Sequence, residues 1–151
     1  MNDIAADRAT FLAAVESYAS GQASRFAPAL DELVRWSEEN GLEYRPPTGS
    51  QSLMRYATGG RVFWSAVARA GDGAKLTVLN DPTFPESLRD AARTELALLD
   101  RKAEKDGGVP EVALTMLIWE PHRKRVLGMM ARLLAGIVAT ADETSPDHPD
   151  N

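Results

Sequence analysis

The chain has 151 residues, of which 44% are apolar and 26% charged, a composition typical of one folded domain with one hydrophobic core. Its net charge of −5 argues against a uniformly basic nucleic-acid binder, and the absence of cysteine excludes disulfides, thiolate catalysis and cysteine-ligated zinc. No apolar run approaches the roughly 18–20 residues that span a bilayer, so we expect a cytoplasmic protein with no membrane partner.

Two helices are predicted in the first 41 residues. The first runs from an N-cap at Asp3 to about Tyr18, because its apolar side chains return to one face at helical spacing. The second is expected to begin near Pro28, a residue suited to the first turn of a helix, and to stop at Gly41. Its predicted core-facing stripe consists of Phe26, Leu30, Leu33, Val34 and Ser37. Trp36 falls outside this stripe.

After a proline-containing loop at 45–50, the pattern predicts a three-stranded antiparallel meander. The strands are expected at about 53–57, 61–69 and 75–79, separated by glycine-rich turns. Alternation in the second strand puts Trp64 on the core face and Arg61, Phe63 and Arg69 on the opposite face.

The second half is expected to add helix, strand and helix. Thr83 and Glu86 have the spacing of a capping box, which predicts a helix from about Phe84 to Lys105. Residues 112–119 are apolar on both faces, as in a central strand covered from two sides. The last helix should run from Pro121 to about Ala141. It should bury Val126, Leu127, Met130, Leu133, Leu134, Ile137 and Val138. The alternative is that part of this wide apolar face contacts a partner.

The predicted fold class is therefore α+β, with two N-terminal helices, a three-stranded meander, a helix, a fourth strand and a C-terminal helix around a mixed sheet. Residues 1–141 are expected to form one domain and the acidic residues 142–151 a disordered tail. Over residues 28–119 the element order resembles the restriction-endonuclease-like core. That family needs an acid near its second strand and an acid two residues before a lysine on its third. Here strand two has no acid and Gly73 precedes Lys75 by two, so the resemblance implies a relative that does not cleave.

Cations are concentrated in two segments of this acidic chain, within residues 45–75 and 121–132. The second begins with His122, Arg123, Lys124 and Arg125 at a predicted helix start. Backbone N–H groups there already carry partial positive charge, so added cations are unfavourable unless a bound anion neutralises them. The sequence thus predicts an anion-binding helix start, with a solvated helix end as the alternative.

A second candidate surface is the outer face of the meander. Cations that alternate with an aromatic ring on an open sheet suit single-stranded nucleic acid. The residues are Arg55, Arg61, Phe63 and Arg69. The alternative is that an N-terminal helix covers Phe63 and leaves the arginines at the rim.

The sequence contains no recognisable catalytic set, metal-ligand set or cofactor motif. The leading hypothesis is accordingly a non-catalytic binding or interaction domain, which binds a partner protein or a second copy of itself. A nucleic-acid-associated module and a small-anion or phosphorylated-metabolite site of an unrecognised enzyme are the alternatives. The acidic tail is expected to reach the cationic helix start only in a neighbouring subunit.

Overall fold

The structure, a computed structural model, describes residues 4–48, 52–99 and 109–143, with side chains up to Thr140. Its α+β order confirms the predicted fold class. The elements are α1 (Ile4–Tyr18), α2 (Gln22–Glu39), β1 (Glu43–Tyr44), β2 (Leu53–Thr58), β3 (Arg61–Arg69), β4 (Gly73–Val78), α3 (Glu86–Ala97), β5 (Glu111–Ala113), a 3-10 helix (Leu114–Leu117) and α4 (Glu120–Glu143).

Helix α1 has the predicted extent, whereas α2 begins six residues before the predicted start at Pro28. The cap that starts α2 is not local. The carboxylate of Glu16, in α1, accepts hydrogen bonds from the backbone N–H groups of Gly21 (2.7 Å) and Ala23 (3.3 Å). Pro28 consequently lies inside the helix. The predicted N-cap Asp3 lies outside the described residues.

A bulge in β3 changes the predicted alternation of its side chains. Tyr56 lies opposite Trp64 and Ala57 lies opposite Val62, which leaves Phe63 as the extra residue. Phe63 and Trp64 therefore both meet α2. The ring of Phe63 stacks on Trp36 with centroids 6.2 Å apart, and Trp36 closes the edge of the core. The alternation that put Phe63 on the outer face is wrong for this reason, and the alternative, that an N-terminal helix covers Phe63, agrees with the structure.

A row of three aromatic rings crosses β1, β2 and β3 on the face that meets the helices. Tyr44, Tyr56 and Trp64 are cross-strand neighbours with ring centroids 5.3 and 5.5 Å apart. The polar tip of each ring is bound by a helix. Tyr44 donates to Asp7 of α1 (2.5 Å), Tyr56 to Glu38 of α2 (3.1 Å), and the Trp64 indole N–H to Ser37 of α2 (2.7 Å). This row fixes both N-terminal helices to the sheet.

The hydrophobic core lies on one face of the sheet. Buried residues of all four helices form a single cluster with the strand residues that share the face of Trp64. The outward-facing strand residues do not belong to it, and they include Leu53, Arg55, Ser65, Val67 and Thr77. Among them Ser65 and Thr77 are buried and joined by a 2.6 Å hydroxyl–hydroxyl hydrogen bond.

The predicted central strand at 112–119 is wrong. Only Glu111–Ala113 is a strand, antiparallel to β4 at the edge of the sheet, and Leu114–Leu117 turns into the 3-10 helix. The apolar residues of this segment pack among helices instead of in a sheet: Leu114 and Leu117 are fully buried in the cluster that the helices form. The five strands are antiparallel in the order β1-β2-β3-β4-β5, so the sheet is not mixed. The order that resembled the restriction-endonuclease-like core has three strands between its two helices, whereas the structure has four strands between α2 and α3.

Helix α3 begins without the predicted capping box. The hydroxyl of Thr83 donates to Asp81 (2.7 Å), and Pro85 occupies the cap position before Glu86. The predicted end of this helix at Lys105 lies outside the described residues.

Helix α4 runs two residues past the predicted domain end at Ala141, and the predicted tail from residue 144 lies outside the description. No helix of the described ranges has the length and apolarity to cross a membrane.

Candidate functional site

The basic residues at the start of α4 point in different directions. The ring of His122 turns back onto the 3-10 helix, where its Nδ1 lies 3.2 Å from the carbonyl oxygen of Met116. Since a carbonyl only accepts, Nδ1 carries the proton and donates it. The edge of the same ring meets Trp119, with centroids 4.6 Å apart and planes at 89°. His122 is therefore held by its own local structure.

Arg123 points into the protein. Its guanidinium donates to the carbonyl oxygens of Leu117 (2.9 Å) and Ile118 (3.3 Å), at the end of the 3-10 helix, and forms an ion pair with Glu32 of α2. Its side chain is 14% exposed. Arg123 thus binds carbonyls that the 3-10 helix leaves unpaired, and it joins α4 to α2.

Lys124 and Arg125 remain at the surface. Lys124 is 69% exposed, and its ammonium lies 3.9 Å from the carboxylate of Glu120, a distance at which an exposed ion pair contributes little. Arg125 is also exposed. The four predicted anion ligands are therefore not brought together, and anion binding here stays a prediction that depends on Lys124 and Arg125.

The second candidate surface, at the meander, is dispersed. Phe63 is fully buried, so its ring is not accessible to a base. The guanidinium of Arg61 lies 4.1 Å from the centre of the Phe84 ring and donates to the Thr83 carbonyl oxygen (3.1 Å). Arg55 donates to the backbone of the 45–46 loop, and Arg69 pairs with Asp72. Each arginine supports its own turn or loop, and the predicted stacking group is absent from this face.

Sequence reasoning missed the two tyrosine–carboxylate pairs, Tyr44 with Asp7 and Tyr56 with Glu38. Burial raises the pKa of Tyr56 and the pKa of Tyr44, and the hydrogen-bonded carboxylates raise both further. The phenols therefore stay neutral donors above pH 10, where an ordinary tyrosine ionises. β1 is only two residues long, so no alternation in the sequence marked Tyr44 as a strand residue.

A shallow groove of about 440 Å³ lies along the C-terminal half of α4. Its lining residues are Asn40, Ala131, Leu134, Ala135, Val138 and Ala139. The sequence predicted burial of Val138, but its side chain is 54% exposed, and Leu134 is only partly buried. Val126, Met130, Leu133 and Ile137 are buried as predicted. Part of the apolar arc of α4 therefore faces outward.

The outward residues of α4 form one continuous seam. Lys124, Gly128, Ala131, Ala135 and Val138 are separated alternately by four and three residues, the spacing that keeps side chains on one line of a helix facing a partner helix. We call these five positions the α4 seam. Three of them, Ala131, Ala135 and Val138, line the groove.

Gly128 is unusual on this seam, because a glycine inside a helix costs about 1 kcal/mol relative to alanine. The fold itself does not require it, since a Cβ at Gly128 would meet only the end of the Arg132 side chain at 3.6 Å. Gly136 differs, because a Cβ there would lie 2.9 Å from Leu88 of α3. The small residue at 128 leaves room on the outer surface of α4.

The chain matches no protein-family model, and no significant similarity connects it to a curated protein or a solved structure. In the ranges that the structure describes, no group of three or more His, Asp or Glu side chains is arranged to hold a metal ion.

Proposed function

We propose that this protein is an interaction domain whose docking surface is the α4 seam, where it binds a helix of a protein partner. The observation that carries the proposal is the apolar groove on the outside of α4, with the half-exposed Val138 among its lining residues. Val138 and the exposed Ala131, Ala135 and Ala139 form a contiguous apolar strip beside the groove, and such strips are typical of surfaces that are covered in a complex.

The shape of the groove favours a helix as the bound element. Ala131, Ala135 and Ala139 are spaced by four residues and form a shallow channel along α4. Beside it, Leu134 and Val138 form a parallel ridge, also spaced by four. A second helix packs on such a surface by placing its own ridge in the channel. Toward the N-terminal end of α4 the same row continues to Leu127, which is partly buried.

A photo-crosslinking experiment tests the proposal. The full chain is produced in cells with p-benzoylphenylalanine in place of Ala135, on the seam, or in place of Ala13, on the exposed surface of α1. We expect a discrete adduct at position 135 whose attachment site maps to the apolar face of a helix. Val138→Asp should abolish it, because a carboxylate in the groove must be desolvated without a partner.

The matched control for the introduced charge is Leu98→Asp. Leu98 follows the last residue of α3, and its apolar side chain is 64% exposed. This variant should keep the adduct. Equal labelling at positions 13 and 135, or labelling at 135 that survives Val138→Asp, would refute the proposed docking surface.

A further inference from the structure

The residues of the α4 seam can pair with those of a second copy of the helix that runs in the opposite direction. The same alternating spacing continues from Val138 to position 142, which is Asp142 in the last turn of α4. Positions 124 and 142, 128 and 138, and 131 and 135 then lie pairwise at equal distances from residue 133. Two antiparallel copies of the helix would therefore place a lysine opposite an aspartate, a glycine opposite a valine, and an alanine opposite an alanine.

The charges of α4 support the same arrangement. The first turn of α4 contains one acid, Glu120, near Lys124, while residues 121–141 contain none, and the exposed cations Lys124 and Arg125 lie near this N-terminal end. The last turn contains Asp142 and Glu143 and no cation. The C-terminal end thus has the sign that its own helix dipole disfavours, and the N-terminal end has an excess of exposed cations over its one acid. In an antiparallel pair, the cationic end of one helix lies beside the acidic end and negative dipole of the other, so each end stabilises its neighbour.

We infer that the partner helix is α4 of a second copy of this chain, packed antiparallel along the seam about a twofold axis near residue 133. This inference rests on the proposed docking surface and names its occupant. A twofold contact uses the same patch on both subunits, so every pair occurs twice. Lys124 of each subunit is opposite position 142 of the other, and Val138 of each subunit lies over the other's Gly128.

Two complementary charge reversals test the pairing by sedimentation velocity on the purified full chain. The unmodified chain should dimerise as its concentration rises from about 1 to several hundred micromolar, the range suited to a small interface. Lys124→Glu and Asp142→Lys should each weaken dimerisation at least tenfold, because each places like charges opposite one another at two points. Mixing the two variants in equal amounts should restore dimers, since both opposed pairs are then of opposite sign.

Arg35→Glu, on the exposed surface of α2, is the matched charge-reversal control and should leave dimerisation unchanged. Gly128→Val provides a test that involves no charge. A Cβ there would meet only the end of the Arg132 side chain, at 3.6 Å, so the monomer should fold while dimerisation is lost. Circular dichroism of each variant at low concentration verifies the fold.

Two outcomes would overturn the inference. One is a strictly monomeric chain at every concentration, and the other is a mixture of Lys124→Glu and Asp142→Lys that associates no better than either alone. If the Ala135 position still cross-links to a helix of another protein, the docking surface stands and only its occupant is wrong. A monomer without that cross-link would remove both proposals.

Discussion

Arg123 and Glu32, which are 91 residues apart in the chain, form an ion pair that joins the first turn of α4 to the middle of α2. The same guanidinium binds the carbonyl oxygens of Leu117 and Ile118. One of the four cations that the sequence predicted as anion ligands is therefore a structural link among three helices. Its side chain and that of Glu32 are 14% and 27% exposed, so water screens the pair only in part.

We expect Arg123→Ala to lower the free energy of unfolding by about 2–4 kcal/mol, because it leaves a half-buried carboxylate and two carbonyls without their donor. Arg125→Ala removes an exposed cation two residues further along α4 and should change stability by less than about 0.5 kcal/mol. Urea denaturation of both variants makes the comparison. Equal, small effects would contradict the structural role of Arg123.

A second stability prediction concerns the buried hydrogen bond between Trp64 and Ser37. Ser37→Ala should cost about 1–3 kcal/mol, because the indole N–H would stay buried without an acceptor. Ser17 is the matched serine, since its hydroxyl also donates to a helix carbonyl (2.7 Å) but is exposed. Ser17→Ala should be nearly neutral or slightly stabilising in thermal denaturation. A Ser37→Ala variant as stable as Ser17→Ala would show that the indole finds another acceptor.

Two glycines of the turn between β3 and β4 allow backbone strain and packing to be separated. Gly71 and Gly73 have φ values of +103° and +102°, which alanine adopts only with strain. A Cβ at Gly71 meets no atom within 4 Å, whereas one at Gly73 would lie 3.1 Å from Val15 and 3.2 Å from Phe26. We expect Gly71→Ala to cost about 1–2 kcal/mol and Gly73→Ala about 1–2 kcal/mol more. Chemical denaturation should show this order, and the reverse order would mean that α1 and α2 move aside at no cost.

The raised pKa values of Tyr44 and Tyr56 predict how stability depends on alkaline pH. In the unfolded chain both phenols ionise near pH 10, while in the folded chain they remain protonated to higher pH. The unfolded state thus binds fewer protons above pH 10. The stabilisation from neutral phenols is complete below pH 10 and is lost as pH rises toward the folded-state pKa values, by up to about 1.4 kcal/mol per pH unit for each group.

Tyr44→Phe with Tyr56→Phe should make that alkaline decline shallower, as measured by urea denaturation between about pH 9 and 11. Tyr18→Phe is the control, because Tyr18 is 50% exposed and lies at the end of α1. It should leave the slope unchanged. An identical alkaline decline in the double variant and the unmodified chain would contradict the assignment to these two phenols.

Regular periodicity made much of the fold predictable. The strands of the meander and helices α1 and α4 were predicted to within a few residues, because their apolar side chains repeat at two or 3.6 residues over a long stretch. The failures occurred where contacts with other secondary-structure elements decide local structure. Glu16 starts α2 ahead of Pro28, and burial among helices folds the apolar segment after Ala113 into a 3-10 helix.

The candidate site was less predictable than the fold. Composition and position placed four cations at one helix start, but only the tertiary structure shows that Arg123 turns inward to Glu32. The bulge at Phe63 could not be inferred from alternation, because a single inserted residue leaves the apolar pattern intact while it turns a side chain to the other face. The half-exposed Val138 fitted the predicted core stripe equally well, and only its exposed fraction assigns it to the outer surface.

The outermost strands of the sheet are short, which limits the addition of a strand from another chain. β1 has two residues and β5 has three, so each edge of the sheet offers very few backbone groups to an incoming strand. Short edge strands protect a sheet from growing by strand addition, the route by which many sheet proteins aggregate. Growth of the sheet by strand addition is therefore disfavoured at both described edges, even at high protein concentration.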